Sequence, residues 1–113
     1  MTKKIDKRPV RQRLLALRAD LTDIRRQSAA SRQPVTLDQT SVGRVSRIDA
    51  MQLQAMAIEA ERRRAIAEMR IERALERLDD GAYGECVTCG EDIAPARLEL
   101  DPAVAVCIDC ARG

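Results

Sequence analysis

The chain carries four cysteines, and their spacing constrains its fold more than any other feature of the sequence. They occur as Cys86-x-x-Cys89 and Cys107-x-x-Cys110, with seventeen residues between the two pairs. Each C-x-x-C turn can present two sulfur atoms to one ion, so two such turns can enclose Zn²⁺ in a tetrahedral shell. The sequence contains no histidine, so a site with four cysteine ligands is the only standard structural zinc site that it can form. The pattern therefore predicts one structural zinc ion held by all four cysteines.

A zinc ion with four thiolate ligands has no open position for water or substrate, which argues against zinc-dependent hydrolysis. The alternatives for the cysteines are disulfide bonds, a redox-active dithiol or a site that has lost its metal. No apolar run is long enough to span a bilayer, and the basic residues 1–13 are not followed by the apolar segment of a secretory signal. The sequence thus favours a reducing cytoplasm, where the thiolates bind metal.

The composition is typical of long helices. Tyr83 is the single aromatic residue, and 34% of the residues are charged. Pro9 suits the first turn of a helix, and Pro34 ends the apolar periodicity that follows it. Residues 33–43 have no helical period and are predicted to form a connecting loop. The first helix has a heptad seam composed of Val10, Leu14, Leu17, Leu21, Ile24 and Ser28.

A second, longer helix is predicted from about Ser46 to Asp80. Ser46 and Asp49 fit an N-terminal capping box, and Gly81 suits a left-handed stop. Two helices joined by a loop most simply form an antiparallel hairpin. The predicted seam of the second helix is Ala50, Leu53, Ala57, Ala60, Arg64, Ala67, Ile71, Ala74 and Leu78. A second apolar row, which would let this helix touch more than one neighbour, is Ile48, Met51, Ala55, Ile58, Ala65 and Met69.

The predicted fold is therefore mainly α, an antiparallel coiled-coil hairpin followed by a small four-cysteine zinc-finger module. We expect a flexible basic N-terminus over residues 1–9, the hairpin over residues 10–80 with a tip loop at about 32–45, and the module over residues 81–113. Residues 1–47 carry twelve basic and four acidic residues, a balance of +8, whereas residues 79–113 carry two and eight, a balance of −6. A module this acidic is repelled by phosphate, so we expect no specific DNA binding.

The module resembles the DksA/TraR family of bacterial regulators over about residues 83–110, and the hairpin matches that family in general pattern. The resemblance implies a non-enzymatic cytoplasmic transcription regulator that binds RNA polymerase. It also implies that the coiled coil enters the secondary channel of the polymerase and that some members act together with ppGpp. The residues that carry it are Tyr83-Gly-x-Cys86-x-x-Cys89-Gly-x-x-Ile93, then Arg97-Leu98, Pro102 and Cys107-Ile-x-Cys110.

The resemblance also directs attention to the tip of the hairpin. The best-known members have Asp-x-x-Asp-x-Ala there, a pattern that this sequence lacks. Residues 43–49 instead resemble short DksA-like proteins with a Gly-Arg-x-Ser-Arg-x-Asp run. The candidate tip contacts are Asp38, Arg44, Arg47 and Asp49. The alternatives are helix capping for Asp49, turn chemistry for Asp38 and a solvated turn for the two arginines.

Three other functions remain open at this point. GATA-type DNA-binding fingers share the cysteine spacing, but the loop between Cys89 and Cys107 carries four acidic residues and one arginine. A thiol oxidoreductase would need a βαβ context that the pattern does not predict. A structural or adaptor coiled coil could dimerise through the same seams, whereas a hairpin folded back on itself is expected to be a monomer.

Overall fold

The computed structural model describes residues 6–29 and 44–113 and is mainly α-helical. Four helices follow one another along the chain: α1 (Lys7–Gln27), α2 (Arg44–Asp80), α3 (Pro95–Leu100) and α4 (Ile108–Ala111). Within the described ranges, β pairing is limited to one antiparallel bridge between Glu85 and Asp92. The molecule is elongated, 68 Å in its longest dimension. The predicted fold class is confirmed. None of the described helices combines the length and apolar character needed to cross a bilayer.

The first helix begins earlier than the sequence pattern indicated. Asp6 is its N-cap residue, and the Asp6 Oδ1 atom accepts a hydrogen bond of 3.1 Å from the backbone N–H of Arg8. Pro9 lies in the first turn, as predicted. The expectation of a flexible segment over residues 1–9 is therefore wrong for residues 7–9, because a capped helix already includes them. Residues 1–5 lie outside the described part of the chain.

The second helix begins at Arg44, so the predicted capping box is wrong. Ser46 lies inside the first turn, and Asp49 lies in the second turn instead of at the third helical position. A serine followed three residues later by an acid also occurs within helices, and the box proper uses Glu or Gln at that place. The predicted tip loop at 32–45 is wrong for residues 44 and 45, which are helical, and its remainder lies outside the described residues.

The far end of α2 confirms the predicted glycine stop. Gly81 has a φ of 80°, a left-handed conformation that favours glycine. Its N–H donates to the carbonyl oxygen of Leu78 at 3.3 Å, and the N–H of Ala82 donates to the carbonyl oxygen of Arg77 at 2.8 Å. These two bonds form a Schellman motif, which satisfies carbonyl groups at the helix end and turns the chain toward the cysteine module.

Ion pairs between α1 and α2 establish that the two helices are antiparallel. Near the base, the Arg11 Nη2 atom lies 2.6 Å from Asp79 Oδ1. Near the other end of α1, Arg25 contacts Glu61 at 2.8 Å and Glu68 at 3.1 Å. The early part of α1 thus lies beside the late part of α2, as the hairpin prediction requires.

The buried core occupies the base of the hairpin. The predicted seams are buried there, but Leu17 and Ile24 of α1 expose 37% and 42% of their surface, and Leu53 of α2 exposes 66%. Two helices cover each other from one side only, and Leu53 lies past the level at which the described part of α1 ends. The core is composed of Leu14, Ile71, Ala74, Leu78, Tyr83 and Ala103, so it includes residues from both helices and from the cysteine module.

Candidate metal centre

The structure brings the four predicted cysteines together. Their Sγ atoms all lie within 4.8 Å of one another, and the Sγ atoms of Cys89 and Cys107 are 3.7 Å apart. A tetrahedral zinc site with Zn–S bonds of about 2.3 Å has sulfurs about 3.8 Å apart. The 3.7 Å separation is much longer than a disulfide bond of about 2.05 Å, and the four cysteines are free thiols. The donor set and its geometry fit Zn²⁺.

The first cysteine pair lies in a turn closed by backbone hydrogen bonds. The N–H of Cys86 donates to the carbonyl oxygen of Glu91 at 2.8 Å, and the N–H of Gly90 donates to the carbonyl oxygen of Cys86 at 2.9 Å. Gly90 has a φ of 80°, and a Cβ atom there would meet no other atom within 4 Å. Glycine is therefore required at this position for its backbone conformation, because space is not limiting.

The second cysteine pair lies at the start of the short helix α4. Cys107 is the N-cap residue, and its carbonyl oxygen accepts a hydrogen bond of 2.9 Å from the N–H of Ala111. The residue before it, Val106, is held by Arg97 of α3, whose Nε atom donates to the Val106 carbonyl oxygen at 3.0 Å. In the sequence, Arg97 is recognisable only as part of a family motif. Its role in positioning the second pair depends on a contact across nine residues, which no local pattern encodes.

Electrostatics within the cluster match a site for a divalent cation. The backbone N–H of Cys107 lowers the pKa of Cys86 to about 6, with further contributions from the backbone of Cys89 and Thr88. The neighbouring thiols of Cys107, Cys86 and Cys89 raise the pKa of Cys110 to about 12. Four sulfurs at these distances repel one another when more than one is ionised. A dication between them removes that repulsion and lets all four bind as thiolates.

Two side chains of α2 bond to the module at its junction with the hairpin, and Tyr83 forms a hydrogen bond within the module at the same place. The Tyr83 hydroxyl donates to the buried Pro102 carbonyl oxygen at 2.8 Å, and the Arg77 Nη2 atom donates to the Val104 carbonyl oxygen at 3.4 Å. Arg70 forms an ion pair of 2.7 Å with Asp101. Burial lowers the pKa of Arg77 and raises the pKa of Tyr83, since both groups lie partly inside the junction. None of these contacts was predicted from the sequence.

The candidate tip residues that the structure describes lie far from the cysteines. Arg47 and Asp49 are exposed in the first two turns of α2, about 50 Å from its C-terminal end at 1.5 Å per residue. Arg44 is the first residue of α2, and Asp38 lies outside the described residues. The structure therefore places the described tip candidates and the cysteines near opposite ends of α2.

Comparison with known proteins supports the interpretation of the module. The profile of the prokaryotic dksA/traR C4-type zinc finger matches residues 81–113. The RNA polymerase-binding transcription factor DksA of Haemophilus influenzae is 46% identical over 41 residues, which span 36% of this chain and 28% of that protein. The protein of the same name from Escherichia coli K12 is 42% identical over 41 residues, 36% of this chain and 27% of that protein. The matched segment thus spans little more than a quarter of these relatives.

The likeness of the whole chain is one of fold. The solved structure of the transcription factor DksA2 from Pseudomonas aeruginosa superimposes with a TM-score of 0.73 at 24% sequence identity. The superposition covers 94% of this chain and 80% of that one, so it includes the hairpin as well as the module. Residues 81–113 thus match the four-cysteine zinc finger of the DksA/TraR family, and the helical hairpin that carries them has the fold of DksA2.

Proposed function

We propose that this protein is a DksA-like transcription regulator that binds RNA polymerase with its hairpin in the secondary channel. One observation carries the proposal: a dksA/traR-type module lies at the base of a hairpin with the fold of DksA2. The relatives matched through the module are named RNA polymerase-binding transcription factors. The proposed role is non-enzymatic and belongs to the cytoplasm, where the polymerase works.

The metal centre has a structural role in this proposal. We expect one zinc ion per chain, bound by Cys86, Cys89, Cys107 and Cys110. Four thiolates fill a tetrahedral shell, so the ion has no position for a reacting group. Zinc would tie the two cysteine turns together and so hold Tyr83 and Ala103 in the core at the base of the hairpin.

The N-terminal turns of α2 are the proposed site of action. Arg47 and Asp49 project charge at the end of the hairpin opposite the module, with Arg44 and Asp38 as further candidates. α2 extends about 30 Å past the level of Ser28, which accepts a hydrogen bond from Arg64 at 3.3 Å, so its N-terminal part is long enough to enter a channel. The family resemblance alone suggests ppGpp as a co-regulator.

The charge distribution supports a protein partner over DNA. Residues 79–113 carry two basic and eight acidic residues, a balance of −6, and four thiolates around Zn²⁺ would add two further negative charges. Phosphate repels such a surface, so specific DNA binding is not part of the proposal. We expect a single chain to act on each polymerase, because one hairpin fills one channel.

Site-specific photocrosslinking tests the proposal. A photoreactive residue at Arg47, near the N-terminus of α2, should capture the catalytic-channel subunits of purified RNA polymerase. The same residue at exposed Glu72, about 37 Å further along α2, is the matched control for contacts outside the channel. Capture from position 72 without capture from position 47 would contradict channel entry. No capture from either position would contradict the polymerase partner itself.

A further inference from the structure

The outer face of α2 carries a second heptad row that points away from the described part of α1. At 3.6 residues per turn, this row lies about 150° around the helix from the residues that face α1. Its larger apolar members, Ile48, Met51, Ile58 and Met69, are 48%, 50%, 52% and 52% exposed. The row is about 32 Å long and alternates spacings of three and four, which is the pattern of a helix that packs against another helix. It consists of Ile48, Met51, Ala55, Ile58, Arg62, Ala65 and Met69.

The order of large and small residues in the outer row fits a second copy of the same helix. In an antiparallel pair with its two-fold axis between positions 56 and 57, Ile48 faces Ala65 of the other copy and Ala55 faces Ile58. Met51 then faces Arg62. Each of these alanines thus packs against an isoleucine, and close packing requires that large side chains face small ones. The row is its own complement, as an interface with two-fold symmetry requires.

A parallel pair would fit poorly. It would place Ala55 against Ala55, leaving a void, and Arg62 against Arg62, opposing like charges. It would also bring two modules with a balance of −6 each to the same end of the dimer. In the antiparallel pair the modules lie roughly 70 Å apart, far beyond the Debye length of about 8–10 Å at physiological salt. The sequence of the row and the charge of the modules therefore select the same orientation.

Arg62 fits in the row because a neighbouring acid holds its charged group. The Nε and Nη2 atoms of Arg62 donate to the Glu59 carboxylate at 3.0 Å and 2.8 Å. The methylene groups of Arg62 can cover Met51 of the second copy while the guanidinium stays at the edge.

We propose that the protein forms a weak antiparallel homodimer through this outer row of α2. The dimer does not depend on the proposed function, but it has a consequence for it. The row begins in the same N-terminal part of α2 that would enter the polymerase channel. A chain in the dimer would thus have this part covered, so self-association and channel entry would compete.

Sedimentation equilibrium of the full zinc-loaded chain tests the dimer. Wild-type protein should show reversible dimerisation, and Ile58→Glu should weaken it at least about tenfold, because each dimer would bury two unpaired carboxylates near the axis. Met56→Glu is the matched control: Met56 is 68% exposed and nearby, but it lies outside the row. Arg62→Met should tighten the dimer. Equal association of the Ile58→Glu and Met56→Glu variants would overturn the proposal.

Distances between spin labels test the orientation, with labels on a non-natural amino acid so that the cysteines are untouched. Labels at Gln52 should lie close together, and labels at Glu76 should lie roughly 58 Å apart along the axis. Short distances at both positions would show a parallel pair and overturn the antiparallel one. A wild-type monomer at all concentrations would also overturn the proposal. If the wild type is a monomer and the Ile58→Glu variant loses polymerase binding, the outer row would instead be a contact surface for a helix of the polymerase.

Discussion

Three side chains from different parts of the molecule hold the backbone segment that precedes the second cysteine pair. Each donates a hydrogen bond to a carbonyl oxygen of that segment. Tyr83 donates to the carbonyl oxygen of Pro102, Arg77 of α2 to that of Val104, and Arg97 of α3 to that of Val106. Such bonds fix the path of the backbone, and the backbone path sets where a cysteine sulfur lies. These donors can therefore influence the metal site without touching a sulfur atom.

The first prediction concerns Arg97. Replacing it in Arg97→Met removes the hydrogen bond to Val106, the residue before Cys107, and should weaken zinc binding about 10- to 100-fold, as expected when a group that orients a metal ligand is lost. Competition with a chromophoric chelator measures the affinity. Arg112→Met, at an exposed residue of the same module, is the control and should bind zinc like wild type. Equal affinities for the two variants would show that Arg97 does not position the site.

The hairpin is stabilised unevenly along its length. At the base, Leu14 and Leu78 are fully buried against each other's helices and against the module. Toward the other end of α1, contacts between the helices are made by the partly exposed Arg25 with Glu61 and Glu68. Exposed ion pairs contribute about 0–1 kcal/mol each, much less than a buried leucine. The base therefore supplies most of the stability of the hairpin.

Two neighbouring leucines test this difference. Leu14→Ala should lower the free energy of unfolding by about 2–5 kcal/mol, since it leaves a cavity in the shared core. Leu15→Ala is the matched control at a residue that is 39% exposed, and its effect should be well under half as large. Urea denaturation followed by circular dichroism measures both. A similar loss for the two variants would mean that the hairpin core does not lie at the base.

On the scale of the whole molecule, the hairpin and the module share one hydrophobic core. Tyr83 and Ala103 of the module pack with Leu14, Ile71 and Leu78 of the hairpin, and Arg70 adds an ion pair to Asp101. A module of about thirty residues has too little apolar surface to fold firmly without metal. Metal binding and hairpin stability should therefore be linked.

Removal of zinc tests this link. Chelation should raise hydrogen exchange across residues 83–110, and it should also raise exchange around Leu14 and at the C-terminal end of α2, because the core loses Tyr83 and Ala103. Mass spectrometry of the native protein should first show one zinc ion and four deprotonated thiols. An increase in hydrogen exchange confined to the module would indicate that the base of the hairpin is stable without zinc. Unchanged exchange everywhere would contradict a structural role for the metal.

The two ends of the hairpin are expected to have different roles in regulation. If the module and the base supply contact area while the first turns of α2 act in the channel, then Arg47→Ala or Asp49→Asn should alter transcription at nearly unchanged polymerase affinity. The same is expected for substitutions at Asp38 or Arg44. Asp49 is not a capping residue, so its substitution carries little risk to the helix. A reconstituted assay on a ribosomal promoter measures the effect. Wild-type regulation by all four variants would show that this end of the hairpin only connects the helices.

Several features of this protein followed from the sequence because a few neighbouring residues encode them. The C-x-x-C turns, the glycine after Cys89 and the left-handed stop at Gly81 each depend on backbone conformation over fewer than six residues, and the structure contains all of them. The heptad spacing similarly predicted two helices in an antiparallel hairpin. The difference in charge between the basic N-terminal part and the acidic module follows from the composition of each part alone.

Other features were decided by the tertiary structure. The spacing of Leu14 and Leu17 is equally regular, yet only Leu14 is buried, because burial depends on which other element covers a residue. Ser46 and Asp49 matched a helix start, but the helix begins before them. Arg97, Tyr83 and Arg77 acquire their roles through contacts across 9, 19 and 27 residues of sequence. Adjacent residues determine the local backbone conformation, whereas the burial of a side chain and its long-range hydrogen bonds arise only once the helices and the module have packed together.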